Sequence, residues 1–91
     1  MSQRLRRRVE RDFGAASETV LRRLAALDLP LAEGQSRERI QAAVIAGAGG
    51  DMSTFATFVE VAEYDWRDVL AAAGLADADW PARLDEALGA F

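Results

Sequence analysis

The chain has 91 residues, enough for a single hydrophobic core, and we expect residues 1–91 to form one domain. It contains neither cysteine nor histidine, which excludes disulfides and thiolate chemistry and removes the commonest general base and metal ligand. Its net charge is −4, and its hydrophobic share of 51% is too high for a disordered chain.

The first helical segment follows apolar residues spaced three and four apart, which is the period of one buried helix face. Gly14 interrupts this period, so the pattern leaves open whether residues 3–28 form one bent helix or two helices. Pro30 ends the segment, because proline disfavours helix in the residue before it and lacks a backbone donor. The expected inward residues are Leu5, Val9, Phe13, Ala16, Val20, Leu24 and Leu27.

Two helices are predicted in the middle of the chain, over residues 37–47 and from Asp51 onward. Ser36 and Asp51 are their expected N-caps, because short polar side chains accept hydrogen bonds from the free N–H groups of a first turn. The residues expected to face the core are Ile40, Ala43, Val44 and Ile45 in the first helix, and Met52, Phe55, Phe58, Val59 and Ala62 in the second.

The stretch between these helices, "AVIAGAGGDMSTF" at residues 43–55, has the glycine content of a phosphate-binding loop. A P-loop requires a lysine, and the chain has none; the dinucleotide motif requires a third glycine where Met52 stands. Asp51 would also repel a phosphate from the start of the next helix. We therefore predict a structural turn in which Gly49 or Gly50 has a positive φ.

Two short helices are predicted near the end of the chain. Asp65 is the expected N-cap of the first, and Gly74 is its expected left-handed C-cap. Asp79 is the expected cap of the second, which begins with Trp80 and Pro81. Their expected inward residues are Trp66, Val69, Leu70 and Ala73, followed by Trp80, Leu84, Ala87, Leu88 and Phe91.

No segment alternates with a period of two over enough residues to predict a strand. The sequence therefore predicts an all-α protein, a compact bundle of five or six short helices. Trp66 and Trp80 are in phase with the core residues of their helices, so we expect them to be buried; exposed together, they would form an interface anchor.

Charge is divided unevenly along the chain. Residues 1–40 hold nine arginines against six acidic residues, whereas residues 41–91 hold two arginines against nine. The densest basic group is Arg4, Arg6, Arg7, Arg8 and Arg11. If these arginines fan around the solvent side of a helix, they could bind a phosphate backbone or a protein partner; a solvated helix face explains the same pattern.

Other acidic groups give no site by their spacing. "DADWPARLDEAL" at residues 77–88 begins like a calcium loop but has alanine at the glycine position and leucine at the final glutamate position. Glu60, Glu63, Asp65 and Asp68 lie near Tyr64, but we expect no nucleophile, metal-ligand set or positive group nearby that would shift their pKa values. We predict no catalytic, cofactor-binding or metal-ligating residue.

Residues 36–89 resemble a group of small all-helical proteins of GC-rich bacteria that have no assigned activity. The resemblance depends on "RIQAAV", "GGD", "DWRDVL" and "AAGLADADWP". The use of arginine to the exclusion of lysine is also typical of GC-rich coding. The resemblance implies a compact helical domain and transfers no site residue.

These observations predict a small cytoplasmic protein without catalytic activity that acts through contacts with another protein. Nothing in the sequence is long and apolar enough for a membrane span, and the charged residues after the basic start do not fit a signal peptide. A second copy of the chain is one candidate partner, with the basic helix of one protomer on the acidic face of the other. The alternative is a nucleic-acid-associated protein that uses the five N-terminal arginines.

Overall fold

A computed structural model describes residues 1–29, 31 and 36–89. These residues form helices α1 (Gln3–Phe13), α2 (Ser17–Ala25), α3 (Arg37–Ala48), α4 (Met52–Ala73) and α5 (Trp80–Leu88). No strand occurs in these ranges, and the predicted all-α class is confirmed. Pro30 and Phe91, for which the sequence predicts a helix stop and an inward side chain, lie outside the described residues.

Two bends interrupt the helical runs, one at the position that Gly14 leaves open and one where the sequence predicts a new helix at Asp65. A 3₁₀ turn at Gly14–Ala16 joins α1 directly to α2, so residues 3–25 are two helices in one bent run, the second of the two possibilities that Gly14 leaves open. The second bend lies inside α4 at Asp65, whose φ of −152° and ψ of 96° are extended. The described residues therefore fold into four helical runs, two of them bent, fewer than the expected five or six helices.

The predicted N-caps are confirmed except at Asp79. Ser36 Oγ accepts a backbone N–H of the first turn of α3 at 3.2 Å, and the Asp51 carboxylate does the same in α4 at 2.8 Å. The Asp65 carboxylate accepts the N–H of the second residue after it, which starts the second half of α4. Asp79 precedes α5, but its carboxylate pairs with Arg83 instead of capping the backbone.

The glycine stretch is the predicted turn between α3 and α4. Gly49 and Gly50 have φ values of 57° and 79°, in the left-handed region where only glycine is unstrained. Gly50 also packs closely against α1, because a Cβ at this position would lie 2.8 Å from the carbonyl oxygen of Asp12. The turn makes α3 and α4 an antiparallel pair and holds that pair against the end of α1.

Helix α3 is the centre of the molecule and is buried on nearly every side. Most predicted inward residues are buried, but Met52 is 42% exposed and Phe58 is only partly buried. Trp66 and Trp80 are also partly buried and pack against the edge of the core. The described core consists of Leu5, Val9, Phe13, Val20, Leu21, Leu24, Leu27, Leu29, Ile40, Ala42, Ala43, Val44, Ile45, Ala48, Phe55, Val59, Ala62, Val69, Leu70, Leu75, Leu84 and Leu88.

Side chains of α3 satisfy backbone groups at the end of α2. Gln41, which is 4% exposed, donates its side-chain amide to the carbonyl oxygen of Leu24 at 3.2 Å. Arg37 donates to the carbonyl oxygen of Leu27 at 2.9 Å. The Leu24 carbonyl also accepts the Leu27 N–H at 3.3 Å, so the Gln41 amide is a second donor there. Together these bonds fix the end of α2 against α3.

Candidate functional site

The five N-terminal arginines do not share one solvent face. The Arg4 side chain is 5% exposed and lies between three parts of the chain. Its guanidinium donates to Glu38 at 2.9 Å at the start of α3 and to Asp85 at 2.6 Å in α5. It also reaches the carbonyl oxygen of Gly89 at 3.4 Å. We call this group, Arg4 with Glu38, Asp85 and the Gly89 carbonyl, the Arg4 cluster.

Arg8 is also directed inward. Its side chain is 17% exposed, donates to the carbonyl oxygen of Ala87 at 2.6 Å and pairs with Asp12 at 2.8 Å. The expectation that all five arginines fan around the solvent side is therefore wrong for Arg4 and Arg8. The reason is that α5 packs alongside α1 and brings acceptors to these two positions. Arg6, Arg7 and Arg11 are exposed, and Arg11 contacts Asp12 at 3.1 Å.

In the Arg4 cluster, the pKa values of Arg4 and Glu38 are both shifted towards the charged form. Hydrogen bonding to Glu38 raises the pKa of Arg4 well above its ordinary value, against the opposing effect of burial. The hydrogen bond from Arg4 lowers the pKa of Glu38, and the hydroxyl of Ser2 lowers it further. Part of the charge division along the sequence is thus neutralised within one molecule, because the basic α1 lies on the acidic α5.

A second feature is a groove between α2 and α4 with a volume of about 320 Å³. Its floor is apolar, formed by Phe55 and Val59, and its rims carry charged side chains from both helices. We call it the α2/α4 groove; its lining residues are Thr19, Arg23, Met52, Phe55, Ala56, Val59 and Glu60.

The two helices that form this groove run in the same direction. At their beginning, Phe13 just before α2 meets Phe55 of α4 edge to face, with ring centroids 5.7 Å apart. Further along, Arg23 pairs with Glu63 at 2.7 Å, and the Asp28 backbone N–H donates to the same carboxylate at 3.0 Å. These contacts join α2 and α4 at two positions along their length.

The two rims of the groove have opposite charge. The α2 rim carries Arg23, and a separate shallow apolar depression continues around α2 past Arg22 to Ala26. The α4 rim carries Glu60, followed one turn later by Tyr64, which is 91% exposed. In the described part of the chain Arg23 has an ion-pair partner, whereas neither Arg22 nor Glu60 forms an ion pair.

The acidic residues around Tyr64 are partly engaged in structural bonds. The hydrogen bond from Arg23 lowers the pKa of Glu63, and the hydrogen bond from Arg67 lowers the pKa of Asp65. The expectation that no positive group shifts these pKa values is therefore wrong for Glu63 and Asp65. A general acid requires a raised pKa, so the direction of both shifts favours permanently ionised carboxylates.

The sequence analysis missed the α2/α4 groove because it assigned Met52 to the core. Met52 is the first residue of α4, and the bend at Gly14 directs α2 along one side of it. A signal was available in α2, where Arg22, Thr19 and Ala26 share an exposed face with no apolar side chain larger than alanine. Such a face permits close approach of another helix.

Among the described residues, no three acidic, histidine or cysteine side chains are grouped closely enough to hold a metal ion. No described helix is both long and apolar enough to cross a membrane. The predicted resemblance to helical proteins of GC-rich bacteria stays a prediction. No family model, curated protein or solved structure matches this chain.

Proposed function

We propose that this protein is a small, non-catalytic interaction module of the cytoplasm, and that it binds another protein chain in the α2/α4 groove. The observation that carries this proposal is a groove between two charged rims that lies over the apolar side chains of Phe55 and Val59. Protein grooves of this kind accept the apolar face of a helix, and the charged rims then set its orientation.

Two side chains at the groove support this proposal. Met52 is 42% exposed although it belongs to an apolar face of α4, and a flexible thioether adapts to the shape of a partner. Tyr64 is 91% exposed beside the acidic rim, and tyrosine is one of the residues most enriched among interface anchors. Ala56 is exposed between them, so the middle of the groove offers no steric barrier.

Photocrosslinking tests the proposal directly. A benzophenone amino acid placed at Ala56, inside the groove, should give a discrete protein adduct when the full chain is irradiated in living cells. The matched control places the same group at Ala72, an exposed alanine of α4 beyond the bend at Asp65. Absence of a discrete adduct at Ala56, or equal labelling at both positions, would refute the groove as a protein-binding site.

The nucleic-acid alternative now depends on three arginines. Arg6, Arg7 and Arg11 are exposed, and Arg7 and Arg11 are one turn apart on α1. Three phosphate contacts would give a log–log dependence of duplex affinity on salt with a slope of about −2.7, that is, −0.9 per contact. Fluorescence anisotropy with a labelled duplex measures this slope, and replacing the three arginines with glutamine should abolish it.

A further inference from the structure

We infer that the chain bound in the α2/α4 groove is a basic amphipathic helix, which places apolar side chains on Met52 and Ala56 and a lysine or arginine beside Glu60. This inference rests on the proposed function and names the chemistry of the partner for the same groove. It goes beyond the shape of the groove, because it assigns the sign of the charge that the partner carries.

The two charged side chains that line the groove differ in what they leave for a partner. Arg23 on the α2 rim already pairs with Glu63 at 2.7 Å, so its charge is neutralised within the molecule. Glu60 on the α4 rim is exposed, and in the described part of the chain it forms no ion pair. The lining of the groove therefore presents one uncompensated charge, and that charge is negative.

Tyr64 adds a second group that attracts a cation. Glu60 and Tyr64 lie four residues apart in the part of α4 before the bend at Asp65, so they share one face of the helix. Tyr64 is 91% exposed, so its ring is open to a partner. The face of a tyrosine ring attracts lysine and arginine side chains. A carboxylate and an aromatic ring one turn apart thus form a subsite for a cationic side chain.

The spacing along α4 sets the pattern that the partner must carry. The residues on this edge, at intervals of four and with the apolar ones first, are Met52, Ala56, Glu60 and Tyr64. With a rise of 1.5 Å per residue, Met52 and Glu60 lie about 12 Å apart along the helix axis. A bound helix lying along the groove must therefore carry its cation about two turns from the apolar residue that meets Met52. Positions two turns apart lie on the same side of a helix, so one amphipathic helix can present both groups.

The charge of the surroundings favours the same sign of partner. The net charge of the chain is −4, which at long range attracts a cationic chain and repels an anionic one. Asp51, which caps α4 directly before Met52, adds an exposed carboxylate at the other end of the same edge. An acidic helix in the groove would therefore meet negative charge at both ends of the α4 edge.

Binding of two designed peptides tests the sign of the charge. The first is a fluorescein-labelled peptide of leucine and lysine in an amphipathic helical pattern, about five turns or roughly 18 residues long. The second has glutamate at every lysine position. Fluorescence anisotropy with the full chain should give a dissociation constant at least about tenfold lower for the lysine peptide. Equal affinity for the two peptides, or no binding of the lysine peptide, would overturn the inference.

Charge reversal at Glu60 locates this binding in the groove. Glu60→Arg should raise the dissociation constant of the lysine peptide about tenfold, because an attractive contact becomes repulsive, and Glu60→Gln should give a smaller loss in the same direction. Tyr64→Leu should raise it about threefold, since leucine keeps an apolar side chain and removes the aromatic face.

Glu86→Arg is the matched control, because it makes the same charge change at an exposed position of α5 outside the groove. It should change the dissociation constant by less than about twofold. Circular dichroism measures whether each variant is folded. Equal losses for Glu60→Arg and Glu86→Arg would show that the peptide responds only to net charge, and the assignment of the cation to the groove would then be wrong.

The crosslink at Ala56 separates this inference from the proposed function. Mass spectrometry of the adduct identifies the partner segment that lies in the groove. A segment with a net positive charge supports both proposals, whereas a neutral or negative segment overturns the basic helix and leaves the interaction module standing. The absence of any adduct refutes the interaction module and the basic helix together.

Discussion

Replacement of Arg4 by methionine should destabilise the fold more than any other arginine substitution in α1. Methionine retains most of the aliphatic length of the side chain, so packing near the core changes little. The change removes the guanidinium that binds Glu38 and Asp85 at 2.9 and 2.6 Å. It therefore isolates the polar contribution of the Arg4 cluster.

The exposure of the two carboxylates sets the size of the effect. Glu38 is 24% exposed and would keep a charge in a partly dry position, whereas Asp85 is 56% exposed and can be hydrated again. Removing one partner of a buried ion pair costs 3–5 kcal/mol, and the exposure of Asp85 places this case at the lower end, about 3 kcal/mol. For a domain of this size such a loss corresponds to a decrease in Tm of roughly 12–24 °C.

Urea denaturation followed by circular dichroism at 222 nm measures this free energy. Arg7→Met is the matched control, because Arg7 is exposed on the same helix and its loss should change stability by less than about 0.5 kcal/mol. Arg4→Lys should be intermediate, since an ammonium keeps the charge but lacks the fork that binds two carboxylates.

Equal stability of Arg4→Met and Arg7→Met would refute this account of the Arg4 cluster. A double-mutant cycle with Glu38→Gln adds a second criterion, because residues in direct contact should be coupled by at least about 0.5 kcal/mol. If the two substitutions were additive, the hydrogen bond between them would contribute nothing to stability.

Three further predictions concern the glycine turn between α3 and α4, the stability at acid pH and the end of α2. In thermal unfolding, Gly50→Ala should lower the free energy of unfolding more than Gly49→Ala. Both positions require a positive φ, which costs alanine about 1–2 kcal/mol, but only at Gly50 would the new Cβ lie 2.8 Å from a backbone oxygen of α1. Equal losses of stability would argue against this close approach. The lowered pKa of Glu38 contributes stability above its ordinary value of 4.5, and this contribution is lost as the pH falls through the folded-state pKa. Glu38→Gln should therefore reduce the loss of stability that the wild type shows as the pH is lowered. An unchanged dependence of stability on acid pH would contradict the lowered pKa of Glu38. Gln41→Met should lower the free energy of unfolding by about 0.5–1.5 kcal/mol in urea denaturation, because it removes the bond between α3 and the Leu24 carbonyl, which keeps the Leu27 N–H at 3.3 Å; a neutral result would show that the Gln41 bond contributes nothing to stability.

Local signals in the sequence predicted most helix boundaries. Ser36, Asp51 and Asp65 cap helices as expected, because an N-cap depends on residues only two or three positions away. Gly74 has the predicted left-handed conformation with a φ of 73°. Asp79 is the exception among the caps, since Arg83 one turn later competes for its carboxylate.

Contacts between distant residues could not be predicted in this way. The partners of Arg4 lie 34 and 81 positions away, so no sequence window contains the bonds that bury it. The α2/α4 groove could not be predicted for the same reason, because it depends on the direction that α2 takes after the bend at Gly14. Periodicity identified which residues of α4 are apolar, but it placed Met52 in the core when the neighbouring helix leaves it 42% exposed.

The sequence separation of the Arg4 contacts also predicts the order in which parts of the fold form. The pairing of α3 with α4 closes a turn of three residues, whereas the contact between Arg4 and Asp85 joins positions 81 residues apart. Loop closure entropy makes the short connection form early and the long one late. In stopped-flow chevron experiments, loss of Arg4 should therefore accelerate unfolding and leave the refolding rate almost unchanged. We therefore expect the Arg4 cluster to form after the transition state and to slow unfolding of the folded state.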